Sequence, residues 1–186
     1  MRSLRFTYCI VLLSAASLDA QPAQLDSASA SAVARLLARF DATATAAGKL
    51  DPRGRAALFS DDAIFLNAWG GRTDGRPAID STLMRLYTGR MFDSSRIEIL
   101  SRQQRVIAPG VVLVDHLECL TGQRGPNSGR EFPPRATHIT LLLRREPDSE
   151  WRIAYYRAGD IREFAQRAPA CERLRPGAVK EPRRPR

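Results

Sequence analysis

Apolar residues first recur at helical spacing between Asp26 and Gly48. Val33, Leu36, Leu37, Phe40, Ala44 and Ala47 form one stripe, and Gly48 supplies a stop. This predicts a long amphipathic helix. Pro52 to Phe59 reads as a second, short helix, after which Ser60-Asp61-Asp62 turns the chain into a strand over 63–68. Gly70-Gly71 and Asp74-Gly75 bracket a very short second strand. Pro77 suits the first turn of a third helix, with Ile79, Leu83, Leu86 and Tyr87 on one side. From Arg96 onward the period changes to two. Ile97 to Ile107, Val111 to Thr121, Arg135 to Arg145 and Trp151 to Arg157 are rich in branched and aromatic residues, and turn signals at Pro109-Gly110, Gly122 to Pro134 and Pro147-Asp148 separate them.

Helices first and long hairpin-linked strands afterwards predict a segregated α+β domain over 26–166, in which an antiparallel sheet packs on three helices. Length changes the picture at both ends. Two arginines within Met1 to Arg5, the short apolar run Phe6 to Leu18 and the small residue Ala20 read as a secretory signal peptide over 1–20. The mature product is therefore expected to be exported, periplasmic or secreted, with no integral membrane segment. Beyond Ala168 the chain loses apolar periodicity, so 169–186 is expected to be a disordered basic tail. That tail holds six basic and two acidic residues and contributes much of the +9 formal charge. No basic-aromatic recognition motif accompanies the charge, so nucleic acid is not an expected partner. In an oxidising compartment Cys119 and Cys171 either pair or stay free, and the residues leave both open.

Several spaced pieces resemble one family in order: Leu58 to Phe65, Gly70, Gly75 to Ile79, Val111 to Val114, and Leu141 to Arg145 through Glu150 to Ala154. They are similar to the nuclear transport factor 2-like superfamily, and within it to the SnoaL-like group that includes the SgcJ/EcaC set. The resemblance implies a cystatin-like α+β roll, a cone whose strongly curved sheet wraps the first helix and leaves a pocket at the open end. It also implies a homodimer through the open sheet face, while the family's range of isomerases, cyclases, dehydratases and association domains fixes no reaction.

Strand alternation then selects residues. Thr137, Ile139, Leu141 and Leu143 share one face, as do Trp151, Ile153, Tyr155 and Arg157, and these are the expected inward sets. In 111–121 the set Val111, Leu113, Asp115, Leu117 and Cys119 is the more apolar, although Val112 and Val114 leave the parity open. With Asp115 inward, it and Tyr155 are the candidate catalytic or orienting groups, and Asn67, Trp69, Tyr87, Met91, Phe92 and Arg157 are expected to line the ligand site. The alternative is an Asp115 that merely pairs with an arginine such as Arg157. A second set, His116, Glu118 and His138, has the composition of a facial metal triad if a hairpin around Asn127 brings the two histidines opposite each other. Its face is polar and expected to meet solvent, so no metal and no cofactor is assigned. Nucleophile elbows, phosphate loops, dinucleotide fingerprints and paired-cysteine metal spacing are absent from the sequence. The expected function is binding of a small apolar or partly polar molecule, with an envelope association module or an isomerase or cyclase as alternatives.

Overall fold

The computed structural model describes residues 24–45, 50–89, 91–125, 128–161 and Cys171. The expected leader at 1–20, the Gly48 stop, the turn at Asn127 and the tail beyond Ala168, Cys171 apart, lie outside the described residues.

Helix α1 spans Ser27–Thr45, and its stripe of Val33, Leu36, Leu37, Phe40 and Ala44 is buried. Asp26 caps it, accepting from the Ser29 amide at 2.7 Å, which satisfies one of the amides left free at a helix start. Helix α2, Pro52–Ala56, is a single turn, with Asp51 accepting from the Gly54 amide and a proline in the first turn. Helix α3, Arg76–Tyr87, begins at Gly75, whose φ of 82° is a conformation that favours glycine and whose amide donates to the Ala63 carbonyl at 2.8 Å. That bond fixes where the helix leaves the sheet.

Six strands form one open sheet in the order β2-β1-β6-β5-β4-β3. They are β1 Phe59–Leu66, β2 Arg72–Asp74, β3 Arg96–Ala108, β4 Val111–Thr121, β5 Arg135–Arg145 and β6 Trp151–Asp160. The α+β class is as expected. One junction, β1 on β6, is parallel, so the sheet is mixed. Strand β1 also starts earlier than the turn signal at Ser60-Asp61-Asp62 suggests. The register slips between Phe59 and Ile64, and the Ile153 amide still donates to the Leu58 carbonyl, so the polar residues ride in a bulge of the strand.

One sheet face packs on the helices. Phe40, Phe59, Ala63, Phe65, Ile79, Leu83, Val112, Val114, Ile139, Leu141, Leu143, Ile153 and Tyr156 form the core. Phe65 stacks on Tyr156 at 4.7 Å between centroids, and Phe59 meets both rings nearly edge-on. Each such side chain stabilises the fold by roughly 1.5–3 kcal/mol through burial. The other face carries a smaller cluster of Leu100, Cys119, Ala136 and Cys171, flanked by Leu117 and Ile161. Cys119 and Cys171 are disulfide-bonded, joining residues 52 positions apart across this outer face.

Candidate functional site

Cross-strand register decides which side chains face the helices. Directly opposite residues share a face, and β4 pairs Val112 with Leu143, Val114 with Leu141, His116 with Ile139 and Glu118 with Thr137. The inward set of β4 is therefore Val112, Val114, His116, Glu118 and Leu120, all buried. This reverses the parity favoured from sequence: Asp115 points outward, its side chain 42% exposed, and accepts from the Thr140 hydroxyl at 3.0 Å. It pairs with no arginine among the described residues. The cause lies on the outer face, where Leu117 and Cys119 are apolar because they serve the disulfide cluster.

Strand β6 holds a second reversal. Leu143 pairs with Ile153 but Leu142 with Tyr155, so a bulge at Ala154 shifts the alternation by one. Trp151 and Ile153 face inward as expected, whereas beyond the bulge Tyr156 and Ala158 take the inner positions and Tyr155 and Arg157 turn out. Neither Asp115, Tyr155 nor Arg157 reaches the interior. Asn67, Trp69, Tyr87 and Phe92 do line the interior cavity, and Met91 is not among the lining residues.

That cavity has a volume of about 60 Å³ and is walled by Arg55 from α2, Phe65 from β1, Tyr87 from α3, Glu118 and Leu120 from β4, Thr137 from β5 and Tyr156 from β6. Arg55, unmarked in the sequence, is only 2% exposed. Its guanidinium carbon lies 4.0 Å from the centroid of the Phe40 ring, which supports one face of the cation. Its Nε has no hydrogen-bond partner. Buried Nε atoms of Arg102 and Arg135 are also unbonded, yet each of those guanidinium groups holds a carboxylate through its other nitrogens. Among the described residues nothing accepts a hydrogen bond from Arg55. Burial alone would pull its pKa down, but the surrounding Tyr87, Tyr156, Glu118 and Asp41 outweigh that and raise it, so the group stays a cation. Burial likewise pushes the Tyr87 and Tyr156 phenols up, so both remain O–H groups at neutral pH.

Behind Glu118 runs a chain of polar contacts. Arg102 clamps Asp41 of α1 with bonds of 2.9 and 2.6 Å, and the same Arg102 Nη2 lies 3.3 Å from His116 Nδ1. A guanidinium only donates, so Nδ1 accepts, and the ring proton sits on Nε2, from which it donates to Glu118 Oε2 at 3.1 Å. His116 is thereby held as one neutral tautomer that orients the Glu118 carboxylate. Arg102 cannot relay protons, so the chain positions Glu118 rather than wiring it to the surface.

The same bonds dispose of the facial metal triad. Both His116 nitrogens are engaged, and register places Leu117, not His116, opposite His138. His138 stands on the outer face, 3.8 Å from Asp115, and no group of three potential metal ligands occurs among the described residues. Sequence reading put His116 and Glu118 together on one face but sent that face to solvent. Val112 and Val114 were the signal for the correct choice. Arg55 had no comparable signal, because a helix of five residues is too short to show which of Arg53 and Arg55 faces in.

No protein-family model matches the sequence, and no curated protein does either. Solved structures do. A protein of cystatin-like fold from Caulobacter vibrioides is similar at 25% identity with a TM-score of 0.61, covering 72% of this chain and 89% of that one. An NTF2-like protein of unknown function from Pseudomonas putida KT2440 matches at 16% identity and TM-score 0.58, covering 78% and 96%. A ketosteroid isomerase-like protein from Erwinia carotovora atroseptica matches at 17% identity and TM-score 0.52, covering 72% and 94%. The chain has the nuclear transport factor 2-like, cystatin-like fold.

Proposed function

We propose that the protein is an exported small-molecule-binding domain whose interior cavity holds a compact, partly apolar ligand anchored on Arg55. The observation that carries this reading is the buried Arg55 guanidinium, which finds no hydrogen-bond acceptor among the described residues. The groups around Arg55 hold its charge, but a buried donor left without an acceptor still costs about 1–3 kcal/mol, more on a charged group. A bound molecule with an acceptor group removes that cost. One water needs about 10–15 Å³ of such space, so 60 Å³ accommodates about four to six water-sized groups. Aromatic and aliphatic walls from Phe65, Phe92 and Leu120 suit a partly apolar skeleton. The disulfide supports export, since such bonds persist in oxidising compartments.

A second reading is favoured by Glu118. A carboxylate on the cavity wall, oriented by His116, is placed to accept a proton from a bound molecule, which is the first step of an isomerisation. An association role would instead use the outer sheet face around Gln103, Asp115 and His138, where every charge has solvent or a neighbour; the orphaned Arg55 favours the cavity. Native mass spectrometry of protein purified from its own host tests the binding reading. One non-covalent molecule per chain is expected, lost in Arg55→Gln. Chains that carry no molecule, and that none of a series of small polar probes saturates, would overturn it.

A further inference from the structure

Resting on the cavity as the ligand site, we infer that its ligand is a net-neutral, dipolar molecule, with a hydrogen-bond acceptor at the end facing Arg55 and a donor at the end facing Glu118. The charges that border the cavity reduce to one of each sign. Arg135 is bonded to Asp160 at 2.7 Å, and Arg102 is clamped on Asp41, so those pairs cancel locally. His116 is neutral, because its Nδ1 accepts from Arg102 while its Nε2 donates to Glu118. Tyr87 and Tyr156 keep their phenolic protons. What remains is one cation, Arg55, and one anion, Glu118, and among the described residues no ion pair joins them.

Two opposite poles on separate walls select against a ligand of net charge. An anion of the same shape satisfies Arg55 but sets its own charge against Glu118 where little water screens it; a cation does the reverse. A molecule with both poles meets each wall with the complementary group and brings no net charge into the interior. Its donors find Glu118, which as a carboxylate only accepts, and its acceptors find Arg55, which only donates. The two phenols, able to play either role, add no preference, and the Asn67 Oδ1 is already taken by the Trp69 and Gly71 amides.

Isothermal titration of the full, disulfide-bonded chain with probes on one three-carbon skeleton tests this: propionamide and zwitterionic alanine against propionate and n-propylammonium. The net-neutral pair is expected to bind at least about tenfold more tightly than either ion. Equal or tighter binding of propionate or n-propylammonium overturns the inference, as does absence of saturation by all of them. Two variants sharpen it without relying on absolute affinity. Arg55→Gln should shift the ratio of cation to anion affinity towards n-propylammonium, and Glu118→Gln should shift it towards propionate; an unchanged ratio in both rejects the two-pole account. Cavity binding and the charge preference fail separately. Host-purified protein carrying a charged small molecule would sink the charge rule and leave the cavity reading standing, whereas empty chains that bind no probe sink both.

Discussion

The two faces of β4 and β5 carry nearly the same chemistry and put it to opposite use. On the inner face His116 and Glu118 are bonded at 3.1 Å and almost fully buried, braced from behind by Arg102 and Asp41. On the outer face His138 and Asp115 stand 3.8 Å apart with side chains 53% and 42% exposed. One residue of register separates the arrangements. Inside, where water cannot take over a lost partner, each bond constrains the next and Glu118 is held against the cavity. Outside, solvent competes for both groups and the pair has little hold on the structure. The outer face is instead secured covalently, by the disulfide.

Cutting that covalent tie should produce the largest change. Closing a loop of 52 residues restricts the unfolded chain by about 4 kcal/mol in the loop-entropy account. Paired Cys119→Ser and Cys171→Ser substitutions are expected to lower unfolding free energy in urea by close to that amount, with ligand affinity nearly unchanged. A loss below about 1 kcal/mol would show that the outer cluster does not depend on the bond. Next comes the inner brace. Arg102→Leu removes the bonds from Arg102 to Asp41 and His116, and because the pair is partly exposed the expected loss is about 2–3 kcal/mol, below the full value for a buried pair. Ligand binding should weaken with it, since Glu118 loses its orientation.

Alkaline titration probes the inner face by another route. Burial raises the Tyr87 and Tyr156 pKa values above the ordinary 10.0, so the neutral phenol is favoured in the folded state. That contribution is complete below pH 10 and is lost as pH climbs through the raised folded values. Both phenols should therefore stay un-ionised at pH 10 by ultraviolet difference absorbance, and tyrosinate signal from either below that pH would place it in contact with water. The smallest effect is expected on the outside: Asp115→Asn and His138→Ala should each change stability by no more than about 0.5 kcal/mol and leave ligand affinity unaltered. Should Asp115→Asn abolish binding while Arg102→Leu does not, the assignment of faces is inverted.

Much of the fold was legible because it rests on long periodic patterns. The stripe through Val33, Leu37, Phe40 and Ala44 and the alternation of Thr137, Ile139, Leu141 and Leu143 have one burial solution each. The site was harder to read for two physical reasons. Strand β4 is apolar on both faces, because Leu117 and Cys119 build a second cluster outside, so alternation alone could not orient it. Strand β6 contains a bulge at Ala154, and a single extra residue exchanges Tyr155 for Tyr156 in the interior. Arg55 was missed on a third ground: its burial depends on Phe40 and Tyr156, which are remote in sequence and meet it only after the sheet closes over α1.

Crystals of protein purified from its own host would test the central claim most directly, by the density within hydrogen-bonding reach of the Arg55 guanidinium. The account predicts a compact non-protein molecule there, with Glu118 at its far end. A cavity holding water alone, or an Arg55 bonded to a protein carbonyl, would contradict it.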